Sequence, residues 1–240
     1  MIEAEFSKLS LRSRHQRAAE TLREFHTLAS TACLAKYRRM ERLLELEPLD
    51  ETHTKALSDR YHHHLWFAQI TWKEHNLLGS IHRPDRPTNA PFRPIAIYLD
   101  NLRSAHNVGS ILRTTEAFRL GSVYFGGYTP YIDNPKVQKT SMCSYDKVPC
   151  FKEVALTALP RPCIALETKE DAPSVMDYNF PESFTLMLGN EEYGLSDATM
   201  AIADQFVQIP LLGYKNSLNV ASAYAVAAAA IQHSLTRIQK

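Results

Sequence analysis

The sequence predicts an α/β domain built on a mostly parallel sheet and preceded by a helical N-terminal domain. Three observations carry that reading. After Pro94, short apolar runs alternate with helical stretches, the texture of strands joined by crossover helices. Before residue 78, apolar residues recur at three- and four-residue steps with no strand signal. Between the two lies GSIHRPDRPTNAPFRP, residues 79–94, whose four prolines deny both helix and sheet interior.

Taken in order, Leu22, Phe25, Leu28, Ala29, Ala32, Lys36, Met40 and Leu43 form one helical stripe, which Pro48 stops. Leu57, Tyr61, His64, Leu65, Ala68 and Trp72 form a second, with Gly79 as its expected C-terminal cap. Two or three helices thus account for residues 1–78. Residues 79–94 read as a semi-rigid linker carrying Arg83, Arg86 and Arg93. Residues 95–240 form the α/β domain. Its expected strands are 95–99, 122–126, 163–166, 184–188 and 206–210, with 148–151 weaker, and its expected helices lie near 108–119, 152–159, 196–203 and from 218 onward. In such sheets ligands bind beyond the C-terminal strand ends, here the loops after Leu99, Leu188 and Pro210.

Composition removes several classes. The 27 Lys+Arg nearly cancel the 26 Asp+Glu, so the chain is neither a disordered polyelectrolyte nor a coat for nucleic acid, and any basic patch is local. Residues 1–93 hold 15 basic and 12 acidic side chains and eight of the ten histidines, against 12 and 14 in the remainder. A footprint for a polyanion is therefore expected in the helical part and linker. No apolar run approaches the roughly 20 residues of a membrane span, and MIEAEFSKLS has no signal-peptide core, so a soluble, cytoplasmic protein is expected. Cys33, Cys143, Cys150 and Cys163 show no C-x-x-C pair, as expected of free structural thiols. The run His62, His63, His64 points in different directions on a helix, so no metal is expected there. There is no G-x-G-x-x-G after the first strand and no phosphate-loop, nucleophile-elbow or H-E-x-x-H motif.

Three loops remain informative. In DNLRSAHNVGSILRTTEAFRLG, Asn107 can cap a helix, Gly109 allows a close approach, Gly121 ends the helix, and Arg113 offers a fork of donors to phosphate or carboxylate. A surface arginine paired to Glu116 explains Arg113 equally well. In LGNEEYGLSD, Gly189 and Gly194 permit unusual backbone, and Glu191 with Glu192 could serve acid–base chemistry, receive polar ligand groups, or belong to a solvated turn. In IPLLGYKNSLNVASAYAVAAAA, Ser217 and Asn219 surround the opening of an alanine-rich helix, whose N-terminus presents free N–H groups.

In this order N-V-G-S-I-L-R-T-T-E-A-F-R-L-G, L-G-N-E-E-Y-G-L-S and I-P-L-L-G-Y-K-N-S-L-N-V-A-S-A resemble the three motifs of the SpoU/TrmH-type RNA 2′-O-ribose methyltransferases of the SPOUT superfamily. The resemblance implies a parallel sheet with a C-terminal trefoil knot, bound S-adenosylmethionine, a homodimer, and methyl transfer to a ribose 2′-OH of structured RNA, tRNA or rRNA. It places the family's catalytic arginine on Arg113, the first-motif asparagine on Asn107, the second-motif glutamate on Glu191, and the third-motif serine and asparagine on Ser217 and Asn219. The implied cofactor contacts are Leu188, Gly189 and Asn190, then Ile209, Pro210, Leu211 and Gly213, then Leu218. No metal and no membrane are implied. Many relatives carry S-x-G-A where this chain reads Ser141, Met142, Cys143, Ser144. Guanidinium does not give up its proton, so Arg113 is expected to bind RNA phosphate and stabilise the developing alkoxide, with Glu191 anchoring its loop. The alternatives are a catalytically silent RNA-binding or ribosome-associated protein on the same fold, and a base methyltransferase.

Overall fold

The computed structural model describes residues 2–70 and 88–238. The chain divides into two compact units, one up to Pro87 and one from Thr88.

The first unit contains α1 (Ile2–Ser7), α2 (Leu11–Leu28), α3 (Thr31–Leu43) and α4 (Thr54–Phe67). The stripe that reads as one helix from Leu22 to Leu43 is therefore two. Ala29 turns left-handed at φ 48°, and the Ser30 hydroxyl accepts the Cys33 N–H to start α3. Hydrophobic period runs through such a reversal unchanged, so spacing alone hides it. At the end of α4 the Ala68 N–H donates to the His64 carbonyl at 3.0 Å; Trp72 and Gly79 lie outside the described residues. Phe6, Leu22, Tyr37, Met40 and Tyr61 fill the core. Buried polar side chains here have partners. Glu41 takes Arg60 at 3.0 Å and the Leu49 N–H at 2.9 Å. His64 contacts the His15 ring nitrogen at 2.9 Å and the Tyr37 hydroxyl at 3.0 Å.

The second unit runs β1 (Ile95–Asp100), α5 (Ala105–Phe118), β2 (Gly121–Gly126), α6 (Pro135–Ser141), β3 (Cys150–Lys152), β4 (Cys163–Leu166), β5 (Phe184–Leu188), α7 (Asp197–Met200), β6 (Gln205–Val207) and α8 (Val220–Ile238). The strands form one sheet in the order β3-β2-β1-β5-β4-β6, and every pair is parallel. All of β5 is buried, which explains its unbroken apolar run. On one face, α5 packs against α6 and α8. A Cβ on Gly109 would lie 2.7 Å from Thr140 Cβ and 2.8 Å from the Val137 carbonyl, so this residue permits the α5–α6 contact. The alanine-rich face of α8 is used inside the chain: Ala227 and Ala228 are fully buried, and Tyr224 bonds the Thr115 hydroxyl at 2.7 Å.

Several local expectations are corrected. Ser104, not Asn107, caps α5, its hydroxyl accepting the Asn107 N–H at 3.3 Å. Arg119, at φ 51°, ends α5, while Gly121 opens β2 pressed on the Ile95 carbonyl. The helix expected at 152–159 shrinks to a 3-10 turn at Leu156–Ala158, because Glu153 breaks it at φ 61° and Pro160 follows. Helix α6 escaped notice in the sequence although it carries a start signal, Asn134 accepting the Lys136 N–H at 2.9 Å with Pro135 in the first turn. After α6, Met142 at φ 51° and Cys143 at φ 67° are both left-handed. Cys143 thus holds a glycine's backbone conformation at the place where S-x-G-A has glycine.

Candidate active site

The loops following β4, β5 and β6 meet at the C-terminal edge of the sheet around a cavity of about 580 Å³, within the size range of small-ligand sites. Leu188, Gly189 and Asn190 line it after β5, Ile209 and Leu211 after β6, and Leu218 just before α8. Pro210 and Gly213, also expected there, do not. Gly213 has nothing within 4 Å of a side-chain position, and its neighbours Leu212 and Tyr214 project fully into solvent.

The loop after β5 closes on itself. Asn190 and Gly194 exchange backbone hydrogen bonds of 2.8 and 2.9 Å. A Cβ on Gly189 would stand 2.2 Å from the Gly194 carbonyl carbon, so only a residue without a side chain fits. The buried Asn190 side chain accepts the Glu192 N–H at 2.8 Å and donates to the Asn101 carbonyl at 2.6 Å. Its amide therefore ties the loop after β5 to the loop after β1. Sequence reading missed two wall residues at the end of β4, Glu167 and Thr168. Glu167 accepts the Leu195 N–H at 2.8 Å, and Thr168 donates to the Asn216 carbonyl at 3.1 Å. Their only sequence signal was position, just past a strand's C-terminal end.

Glu191 reaches across to the start of α5. It accepts the backbone N–H groups of Arg103 at 2.8 Å and Ser104 at 3.0 Å, and the Asn107 amide at 2.8 Å. Burial pushes its carboxyl up, but the Arg103 N–H, the Asn107 amide and the Ser104 N–H together outweigh it and leave Glu191 below the usual carboxylate range. A charged acceptor also suits the positive end of a helix. Asn219 completes the chain. Its amide donates to Asn107 Oδ1 at 3.0 Å, while its own oxygen accepts the Ala221 and Ser222 N–H groups and caps α8. Asn219, Asn107 and Glu191 thus form one hydrogen-bonded relay across all three loops.

Ser217 lines the cavity and is exposed. Arg113 stands apart: it is exposed, is absent from the lining, and lies about 9 Å along α5 from Asn107. Glu116, its expected surface partner, faces Arg119 at 3.9 Å instead, and among the described residues Arg113 has no ion pair. Among the described residues no three His, Cys, Asp or Glu side chains could hold a metal, and no helix is long and apolar enough to cross a membrane.

The SpoU rRNA Methylase family model matches residues 94–229, more than half of the chain and all three loops. The chain belongs to this family. It is 30% identical over 140 residues to a 23S rRNA (uridine(2479)-2′-O)-methyltransferase from Streptomyces viridochromogenes, covering 54% of this chain and 49% of that relative. It spans about half that relative's length. A tRNA (guanosine(18)-2′-O)-methyltransferase from Thermus thermophilus is 30% identical over 139 residues, 55% of this chain and 71% of the relative. Among solved structures, a SpoU methyltransferase from Streptomyces viridochromogenes in complex with AdoMet matches with a TM-score of 0.54 and 25% identity, over 64% of each chain. The SpoU fold accounts for the parallel sheet; the four N-terminal helices lie outside the matched residues.

Proposed function

We propose that this SpoU family member transfers a methyl group from S-adenosylmethionine to a ribose 2′-OH of structured RNA, tRNA or rRNA, and does so as a homodimer in the cytoplasm. The observation that carries the reading is the Asn219–Asn107–Glu191 relay beside a cavity of about 580 Å³. The residues fit the cofactor. The wall sets the aliphatic Leu188, Ile209, Leu211 and Leu218 beside the polar Thr168, Asn190 and Asn216, which suits a ligand with both apolar and hydrogen-bonding parts. When bound, S-adenosylmethionine supplies an electrophilic methyl group on a sulfonium.

The chain's own residues then hold and position. Leu188, Ile209, Leu211 and Leu218 exclude water, and Gly189 lets its loop close on Gly194. Glu191, fully engaged and held below the ordinary carboxylate range, anchors its loop and is not the proton acceptor. Asn107 and Asn219 fix the loop geometry, and Ser217, with no partner among the described residues, is free to meet the ribose. In-line displacement depends mainly on such positioning. Arg113, with no ion pair among the described residues, binds an RNA phosphate and stabilises charge on the 2′-oxygen, with that phosphate as the proton sink. Together with the out-of-sequence strand order β1-β5-β4-β6, the likeness of fold supports a trefoil knot at the C-terminal segment. The exposed Leu212 and Tyr214 supply apolar surface for a second copy; of the α8 alanines, Ala227, Ala228 and Ala230 are buried inside the chain, while the exposed Ala229 stays available to such a contact. Residues 1–78 hold the RNA, the 79–94 segment joins them to the methyltransferase domain at 95–240, and Arg83 and Arg86 of that segment lie outside the described residues.

The decisive test is calorimetry with S-adenosylmethionine in EDTA, followed by mapping of ribose methylation in cells with and without the gene. Heat of binding and one methylation lost with the gene are the expected results. No binding at high micromolar protein overturns the proposal, and binding without any lost methylation favours the silent RNA-binding reading.

A further inference from the structure

Two exposed aromatic rings stand at the edge of the cavity and have no part in the relay. Tyr128, in the loop after β2, is 61% exposed, and Tyr193, in the loop after β5, is 53% exposed. Their hydroxyls bond each other at 2.8 Å. The pair is held from below: the buried Asn190 amide reaches the Tyr128 hydroxyl at 3.3 Å, and the Tyr128 N–H donates to Asn101 Oδ1 at 3.4 Å. Tyr193 belongs to the cavity wall, whereas Tyr128 lies beyond it, so the two rings lead outward from the cavity onto the open surface.

We propose that Tyr128 and Tyr193 form a platform on which an unpaired RNA base stacks beside the ribose that receives the methyl group. The proposal rests on the methyltransferase reading above. A ribose brought to the cavity mouth carries its base, and the bases next to it, onto the adjoining surface within a few ångströms. Flat rings that are more than half exposed and already held in place meet those bases at little ordering cost. Electrostatics agree. The two carboxylates next to Tyr193 are both occupied, Glu191 by the donors at the start of α5 and Glu192 by Arg103 at 2.6 Å. Glu192, the more exposed of the two, thus has its charge offset by a guanidinium. The Tyr128 hydroxyl also pushes that of Tyr193 up to about 12, so the Tyr193 ring carries no negative charge near neutral pH. A stacking surface tolerates any base, so the platform supplies affinity and posture rather than sequence choice.

The test uses the full chain and a short single-stranded oligoribonucleotide carrying one 2-aminopurine, whose fluorescence falls on stacking. Wild-type protein with S-adenosylmethionine should quench the probe. Tyr128→Ala and Tyr193→Ala should abolish the quench and weaken probe binding about 5- to 150-fold, the range of one base–aromatic stack. Tyr128→Phe and Tyr193→Phe should keep the quench, because they keep the rings. Calorimetric affinity for S-adenosylmethionine and the melting temperature should stay unchanged in the two Tyr128 variants, whose ring lies outside the cavity wall. If the alanine variants bind the probe as wild type does, or if wild type binds the cofactor but never quenches the probe, the platform is overturned. It is also overturned if Tyr128→Ala loses cofactor binding, since that ring then belongs to the cofactor cavity. Failure of wild type to bind S-adenosylmethionine at all instead defeats the underlying methyltransferase reading, a result separate from these.

Discussion

Replacing Glu191 by glutamine separates an anchoring carboxylate from a catalytic one. The two carboxylate oxygens divide their work: Oε1 receives the Ser104 N–H and the Asn107 amide, and Oε2 receives the Arg103 N–H. Glutamine can keep its oxygen on Ser104 and Asn107, but its amide then faces the Arg103 N–H, donor against donor. One bond to a charged acceptor is lost, worth about 1.5–3 kcal/mol, and two fall from charged to neutral strength at about 1 kcal/mol each. Because the carboxylate is partly open to water, solvent recovers about half of that gross loss. About 2 kcal/mol remains, or roughly a 30-fold fall in kcat/KM as the loop after β5 drifts from α5. The pH dependence follows with a definite sign. The folded carboxyl lies below its ordinary value of 4.5, so its stabilisation is full above pH 4.5 and disappears as pH falls through the folded value. The stability gap between wild type and Glu191→Gln should therefore be widest near neutral pH and close in acid. The assays are methyl transfer under kcat/KM conditions, cofactor calorimetry and acid-unfolding curves of both proteins. Equal transfer rates with superimposed acid curves would refute the anchor. A variant that binds cofactor normally but loses the acidic limb of the wild-type pH–rate profile would make Glu191 the proton acceptor after all.

Arg113→Ala should cut transfer about 100- to 1,000-fold while sparing cofactor affinity; calorimetry showing lost cofactor binding would place Arg113 in the cofactor cavity instead. Cys143→Gly should stabilise the second unit by about 0.5–1 kcal/mol, because relief of about 1–2 kcal/mol at φ 67° exceeds the extra backbone entropy of glycine; an unchanged or lowered melting temperature contradicts this. The first unit should weaken from about pH 7.5 to about pH 5.5. Burial, with the His15 charge, lowers His64 to about 3, and burial with His63 lowers His15, so the folded state stays neutral while the unfolded histidines take up protons below 6.5. That stability is full above pH 6.5 and is lost as pH falls. Helical dichroism melts that stay flat across this range would show that the His15–His64 contact rearranges freely.

Local patterns were enough for the central strands, whereas those expected at 148–151 and 206–210 form at Cys150–Lys152 and Gln205–Val207. The runs 163–166 and 184–188 appear at their expected ends, because an apolar run of four or five residues between turn residues has few other uses in a parallel sheet. The three loops, and the residues in them that carry polar chemistry, were likewise legible as motifs, since each needs particular residues within a short stretch. Tertiary structure decided what joins them. Nothing in the spacing of Asn107, Glu191 and Asn219 shows that their side chains meet, for the contacts span 84 and 112 residues. Asn107 looked like a helix cap because its neighbours are all that a sequence window contains, yet Ser104 holds that place and frees the asparagine for the relay. The alanines of α8 carried two readings until Tyr224 and Thr115 showed which face lies against α5. Glu167 and Thr168 entered the cavity wall only because β4 lies between β5 and β6, a strand order that no local pattern encodes. Propensity and periodicity act within a few residues, whereas the site is made where segments distant in sequence satisfy one another's buried polar groups.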